Sequence, residues 1–117
     1  MAYHASHRYA RISARKVRPL ADLVRGKFAD EALDILRYQP QRGARMLEKV
    51  ILSALGNAQE PDQNPGQTVR TENLVVSEAR VDAGPFFKRM RPRARGMSYL
   101  IKKRSSHIHI TLDQLNL

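Results

Sequence analysis

The sequence predicts an α+β fold in which three helices come first and a long, basic two-stranded ribbon follows. Three observations carry this. Apolar residues recur at helical spacing through the first half of the chain, period-two alternation takes over in the second half, and the turn-rich run QEPDQNPG at residues 59–66 separates the two regimes. The 117 residues suit one domain, 1–117, and their 42% hydrophobic content is enough for a modest core with little room for a deep substrate cleft.

The chain opens on a short extended stretch in which Ala5, His7 and Tyr9 alternate with Ser6, Arg8 and Ala10. Ser13 is placed to cap a first helix, whose Val17, Leu20, Ala21 and Val24 form a buried stripe while Arg15, Arg18, Asp22 and Arg25 fill the other faces. Pro19 removes one helical hydrogen bond, so either the first turn is irregular or the regular helix starts near Arg18; Gly26 ends it. A second helix is expected from about Ala29 to Tyr38, with Asp30 and Glu31 favourable to the dipole in its first turn and Ala32, Leu33, Ile35 and Leu36 as apolar contacts. Pro40 suits the start of a third, in which Leu47, Val50, Ile51, Ala54, Leu55 and Ala58 keep to one face and Arg42, Arg45 and Lys49 lie elsewhere.

Two strands follow, from about Thr68 to Asp82, centred on Leu74, Val75 and Val76 with Val81 beyond, and from about Met97 to Leu112. In the second, Ile108, Ile110 and Leu112 alternate with His107, His109 and Thr111, the mark of a sheet covered on one side. Strands of about fifteen residues span roughly 50 Å, whereas a domain of about 100 residues has a radius of gyration near 13 Å, so part of the ribbon must project. The projecting part is 80–104, which has no sustained apolar face and carries Arg80, Lys88, Arg89, Arg91, Arg93, Arg95, Lys102, Lys103 and Arg104 against Asp82 alone. Gly84 and Gly96 bound its turn region, GPFFKRMRPRARG, and Pro85 and Pro92 stiffen it. Phe86 and Phe87 can stack on bases or pack against the ribbon.

Charge is as unevenly distributed as shape. The chain has 21 Lys and Arg against 11 Asp and Glu, a formal net charge of +10. Residues 1–27 carry Arg8, Arg11, Arg15, Lys16, Arg18, Arg25 and Lys27 against Asp22; residues 84–117 carry eight basic groups against Asp113; the middle is acidic on balance. Two such blocks repel unless a polyanion compensates them, and nucleic acid is the commonest polyanion. Fifteen of the basic residues are Arg, which favours bidentate phosphate contacts and base stacking over simple solubility.

Other functions fit poorly. The absence of Cys excludes disulfides, Cys-based zinc sites, thiol nucleophiles and iron–sulfur ligation, and fits a reducing, cytosolic compartment. No apolar run is long enough for a membrane span or secretory leader, so a soluble, unprocessed chain is expected. For catalysis the best groups are His107 and His109 with Asp82 or Asp113, but no third ligand stands at metal spacing and no phosphate-binding loop occurs, so no enzyme, metal or cofactor is expected. Anchoring on anionic lipid would need a basic amphipathic helix, whereas the basic density lies on the ribbon. An architectural DNA binder with a proline-tipped arm works as a symmetric pair, and no second apolar face for a homo-oligomer is visible.

The tip GPFFKRMRPRARG at residues 84–96 and the following KKRSSHIHI, with ISARKVRPLADLVRGK at residues 12–27, ALDIL and LEKVILSALGNA, together resemble the bacterial large-subunit ribosomal proteins of the L-twenty-two family over nearly the whole chain. Departures are Ala14, where many members have proline, and Met97, where a basic residue often follows the last tip glycine. The resemblance implies three helices packed on a small three-stranded antiparallel sheet, with a hairpin that threads into large-subunit ribosomal RNA, assists assembly and lines the nascent-peptide exit tunnel. It implies that Lys88, Arg89, Arg91, Pro92, Arg93 and Arg95 form the tunnel-side tip and that Arg15, Lys16 and Arg18 contact RNA from the first helix. Partners would be that RNA, neighbouring large-subunit proteins and, transiently, the nascent peptide, on the cytoplasmic ribosome. Together with the charge pattern, the expected RNA contacts are Arg8, Arg11, Arg15, Lys16, Arg18, Arg80, Phe86, Phe87, Lys88, Arg89, Arg91, Arg93, Arg95, Lys102, Lys103 and Arg104.

Overall fold

A computed structural model describes residues 2–59 and 71–115. Strand β1 (Ala2–Ala10) leads into helices α1 (Ala14–Val24), α2 (Ala29–Arg37) and α3 (Arg42–Ala58), and the chain then forms strands β2 (Leu74–Pro92) and β3 (Ser98–Gln114). The sheet is antiparallel in the order β1-β3-β2, so the last strand is central and the fold is the α+β arrangement expected.

Helical spacing in the sequence becomes one covered face of that sheet. Val17, Leu20, Ala21 and Val24 of α1, Ala32, Leu33 and Leu36 of α2, and all six expected stripe residues of α3 are buried; Ile35 is only half-buried. They cover the rows Tyr3–Leu112–Val76 and Ala5–Ile110–Ala79 and the pair Ile108–Val81. The other face carries His107, His109 and Thr111, as the alternation required.

Helix α1 begins at Ala14 and includes Pro19, so the proline delays nothing. Its first turn is tightened instead, with the Lys16 N–H donating to the Ser13 carbonyl at 3.2 Å, and the Ser13 side chain makes no cap hydrogen bond. Gly26, with φ +84°, turns the chain out of α1, and its N–H donates to the Val76 carbonyl at 2.8 Å. Arg18 Nε donates to the Val81 carbonyl at 3.2 Å, and the Arg25 guanidinium reaches the Ala79 carbonyl. Helix α1 and its exit loop thus satisfy the outer edge of β2, which would otherwise offer unpaired acceptors to another strand.

Four further expectations change. Pro40 lies before the N-cap position Gln41, outside α3. The start of β2 falls at Leu74, after a 3₁₀ turn at Thr71–Asn73; residues 68–70, and all of the turn-rich run after Gln59, lie outside the described residues. Tyr9 leaves the alternation of β1, because the register shifts between His7 and Ala10 and Tyr9 adopts φ +59°. Gly84 does not bound the hairpin turn: the ladder shifts between Ala83 and Phe86, absorbs Gly84 and Pro85 as a bulge, and resumes with Phe86 opposite Arg104. The turn itself is confined to residues 93–97, where Arg95 has φ +62° and the Arg93 N–H donates to the Met97 carbonyl at 2.6 Å.

Candidate nucleic-acid interface

Beyond that bulge the ribbon leaves the helices behind. The molecule measures 68 × 28 × 16 Å with a radius of gyration of 17.7 Å, against about 13 Å for a compact domain of this size. Every residue from Pro85 to Leu100 is exposed.

Strand pleating sorts the arm into two faces. One carries Phe86 opposite Arg104, Lys88 opposite Lys102 and Met90 opposite Leu100; the other carries Phe87 opposite Lys103, Arg89 opposite Ile101 and Arg91 opposite Tyr99. Like charges directly opposite are destabilising, and the sequence from 83 to 112 holds no carboxylate to relieve them. Phe86 supplies partial relief on its own face, with Lys102 Nζ 4.8 Å and the Arg104 guanidinium 5.8 Å from its ring centre. Phe87 is more open, at 62% exposure, with Arg89 5.7 Å from its ring centre. Phe86 is thus engaged by two cations of the opposite strand, whereas Phe87 is the more exposed ring.

The other expected contacts divide. Arg15 and Lys16 are exposed on α1, and Arg8 lies over the Tyr9 ring at 5.5 Å. Arg11 is exposed, and its carbonyl accepts from the Arg42 guanidinium. Arg80 is neutralised within the fold, 3.2 Å from both Glu78 and Asp82. Arg25, Arg37 and Arg45 likewise have carboxylate partners, while Arg15, Arg18, Arg104 and the arm arginines have none among the described residues.

One association joins distant parts of the chain. Ser13, Ala14, Arg15 and Arg18 of the α1 start and Ala83, Gly84, Arg104 and Ser105 of the arm root line a groove of ≈ 360 Å³. A neighbouring groove of ≈ 380 Å³ is lined by Arg18, Arg25 and Arg80 together with Asp22 and Glu78, so its charges are mixed. Ser13, Gly84 and Ser105 carry no local signal of a site; only the crossing of α1 over the arm root places them in one.

The histidines have structural partners. His107 Nδ1 accepts the Tyr9 N–H at 2.9 Å with the two rings edge to face, and His109 Nε2 lies 3.5 Å from Asp82 Oδ2. Among the described residues no three His, Asp or Glu side chains cluster as metal ligands, and no helix is long and apolar enough to cross a membrane.

A helix-covered sheet continued into a bare cationic ribbon defines an α+β class of protein whose charge lies mainly on a projecting hairpin. The sequence model for the family described as ribosomal protein L22p/L17e matches residues 5–113, and the chain belongs to that family. It is similar to the large ribosomal subunit protein uL22 of Rhodopirellula baltica, at 67% identity over 97% of this chain and 95% of that one. The uL22 proteins of Finegoldia magna, 44% identical over the full length of both chains, and Caldicellulosiruptor saccharolyticus, 44% identical over 94% of this chain and 86% of that one, agree. Family members are structural, non-enzymatic components of the ribosome, so the chain is a large-subunit ribosomal protein and not an enzyme.

Proposed function

We propose that this chain binds large-subunit ribosomal RNA through its arm and α1, helps that RNA to fold during assembly in the cytoplasm, and brings the arm tip to the wall of the nascent-peptide exit tunnel. The observation that carries the reading is the direct pairing of Lys88 with Lys102 on a stretch, 83–112, without carboxylates, a repulsion that phosphates closing in around it would relieve. The chain acts as one unit, 1–117, of which 80–104 enters the RNA. Lys88, Arg89, Arg91, Arg93, Arg95, Lys102, Lys103 and Arg104 neutralise phosphates, Phe87 stacks, and Arg8, Arg11, Arg15, Lys16 and Arg18 dock the domain. Arg80 contributes least, since two carboxylates already hold it. The tip, Lys88 to Arg95 with Pro92 at its bend, meets the nascent peptide transiently, and neighbouring large-subunit proteins contact the helical domain. Recognition is of RNA shape and backbone more than of sequence.

A filter-binding salt titration against large-subunit ribosomal RNA and length-matched duplex DNA tests this. Replacing Arg89, Arg91, Arg93 and Arg95 by Ala should leave circular dichroism unchanged and lower the salt slope by roughly three to four, about one per lost phosphate contact. An unchanged slope, or equal affinity for the DNA, would sink the reading.

A further inference from the structure

We propose that the groove at the arm root is a binding site for a single phosphodiester of a nucleic-acid backbone, gripped jointly by Arg15 and Arg18 of α1 and Arg104 of β3. The proposal rests on the RNA-binding reading above and adds a contact that joins the arm to the domain.

The adjoining grooves differ in the way that matters for an anion. The one along β2 contains Asp22 and Glu78 beside its arginines, so its charge is compensated within the protein. The arm-root groove is lined by three arginines and no carboxylate, so the guanidinium groups repel one another until an anion enters. Two of the three are held in place beforehand. Arg18 Nε is fixed to the Val81 carbonyl at 3.2 Å, which leaves its terminal nitrogens to donate elsewhere, and Arg104 is steadied against Phe86 at 5.8 Å. Fixed, planar forks suit phosphate oxygens, and their prior ordering lowers the entropy lost on binding. Ser13 adds a hydroxyl that caps nothing. At ≈ 360 Å³ the groove holds a phosphate together with several waters, each of about 30 Å³.

The site has a geometric consequence. Arg15 and Arg18 belong to the helical domain, whereas Arg104 belongs to the arm just beyond the Ala83–Phe86 register shift, where the ladder is weakest. One phosphate held by all three fixes the arm's direction relative to the domain.

The test uses the full chain with Arg15→Gln, Arg104→Gln and the double variant, in the same titration against ribosomal RNA, together with amide spectra recorded against inorganic pyrophosphate. Each single change should weaken binding while lowering the salt slope by less than about one, since the remaining arginines still neutralise the phosphate, and the double should lower it by about one at most, because the slope counts phosphates neutralised and both arginines serve the same one. Pyrophosphate should shift the amides of residues 13–18, 84, 104 and 105 saturably in the unaltered protein and not in the variants, with α3 amides unmoved throughout. A double variant whose slope falls by about two would show separate contacts and overturn the shared site, as would pyrophosphate shifts spread evenly over all basic residues. If RNA binding stays salt-dependent while none of the three variants alters it, the groove fails and the RNA reading stands. If the unaltered protein ignores RNA yet binds pyrophosphate saturably in the groove, the nucleic-acid assignment fails, since the site then serves a free phosphate.

Discussion

The near and far ends of the hairpin are built from the same two strands with the same antiparallel pairing to each other, and differ in what their side chains meet and in the third strand, β1, which pairs with the near end alone. Near the helices, Val76 faces Leu112, Ala79 faces Ile110 and Val81 faces Ile108, all buried; past the bulge, Lys88 faces Lys102 and Arg91 faces Tyr99 in the open. Continuous backbone pairing therefore does not make a region stable by itself. A two-stranded ribbon is marginal in water, and the near end persists because β1 and three helices cover it. The far end has no such cover within the chain, and on the function proposed above its charges are arranged for a polyanionic partner at the expense of the free protein.

The largest effect should separate the two ends directly. Leu47→Ala opens a cavity at a fully buried position in α3 and should lower unfolding free energy by about 2–5 kcal/mol in urea titrations, whereas Met90→Ala on the exposed arm should change it by less than about 0.5 kcal/mol. Comparable losses from both would mean that the free arm packs as tightly as the domain. Gly84→Ala strikes the junction between them. A Cβ there would lie 2.8 Å from Ser105 Oγ and 3.2 Å from His107 Nε2, and the Ser105 hydroxyl already donates to the Pro85 carbonyl, so a loss of about 1–3 kcal/mol is expected, with amide shifts centred on the arm root. Smallest is Arg95→Gly. Arg95 occupies the left-handed region at φ +62°, where glycine is at ease, so the change should favour the turn by at most about 1 kcal/mol in the hairpin's thermal unfolding while lowering the RNA salt slope by about one. A gain in the turn without any loss of slope would remove Arg95 from the RNA contacts.

Much of this was legible beforehand because the signals are local. The six-residue stripe of α3 and the Ile108, Ile110, Leu112 alternation each report a covered face through spacing alone, and both lie where spacing put them. Projection of the arm followed from strand length against domain size. Gly84 misled because glycine and proline together read as a turn, while tertiary pairing made them a bulge and carried the ladder on to Pro92. Tyr9 left its alternation for a like reason, in a bulge stabilised by His107 from the far end of the chain.

By itself the sequence determined the helices, the covered sheet face and the two basic blocks, since each depends on residues close together along the chain. The tertiary structure alone decided which cations remain available. It set Arg80 between Glu78 and Asp82, tied Arg25 to Asp22 and the β2 edge, and drew Arg15 and Arg18 to Arg104 across the arm root. Charge composition is additive along a chain, whereas neutralisation depends on distances of a few ångströms between residues that only folding brings together.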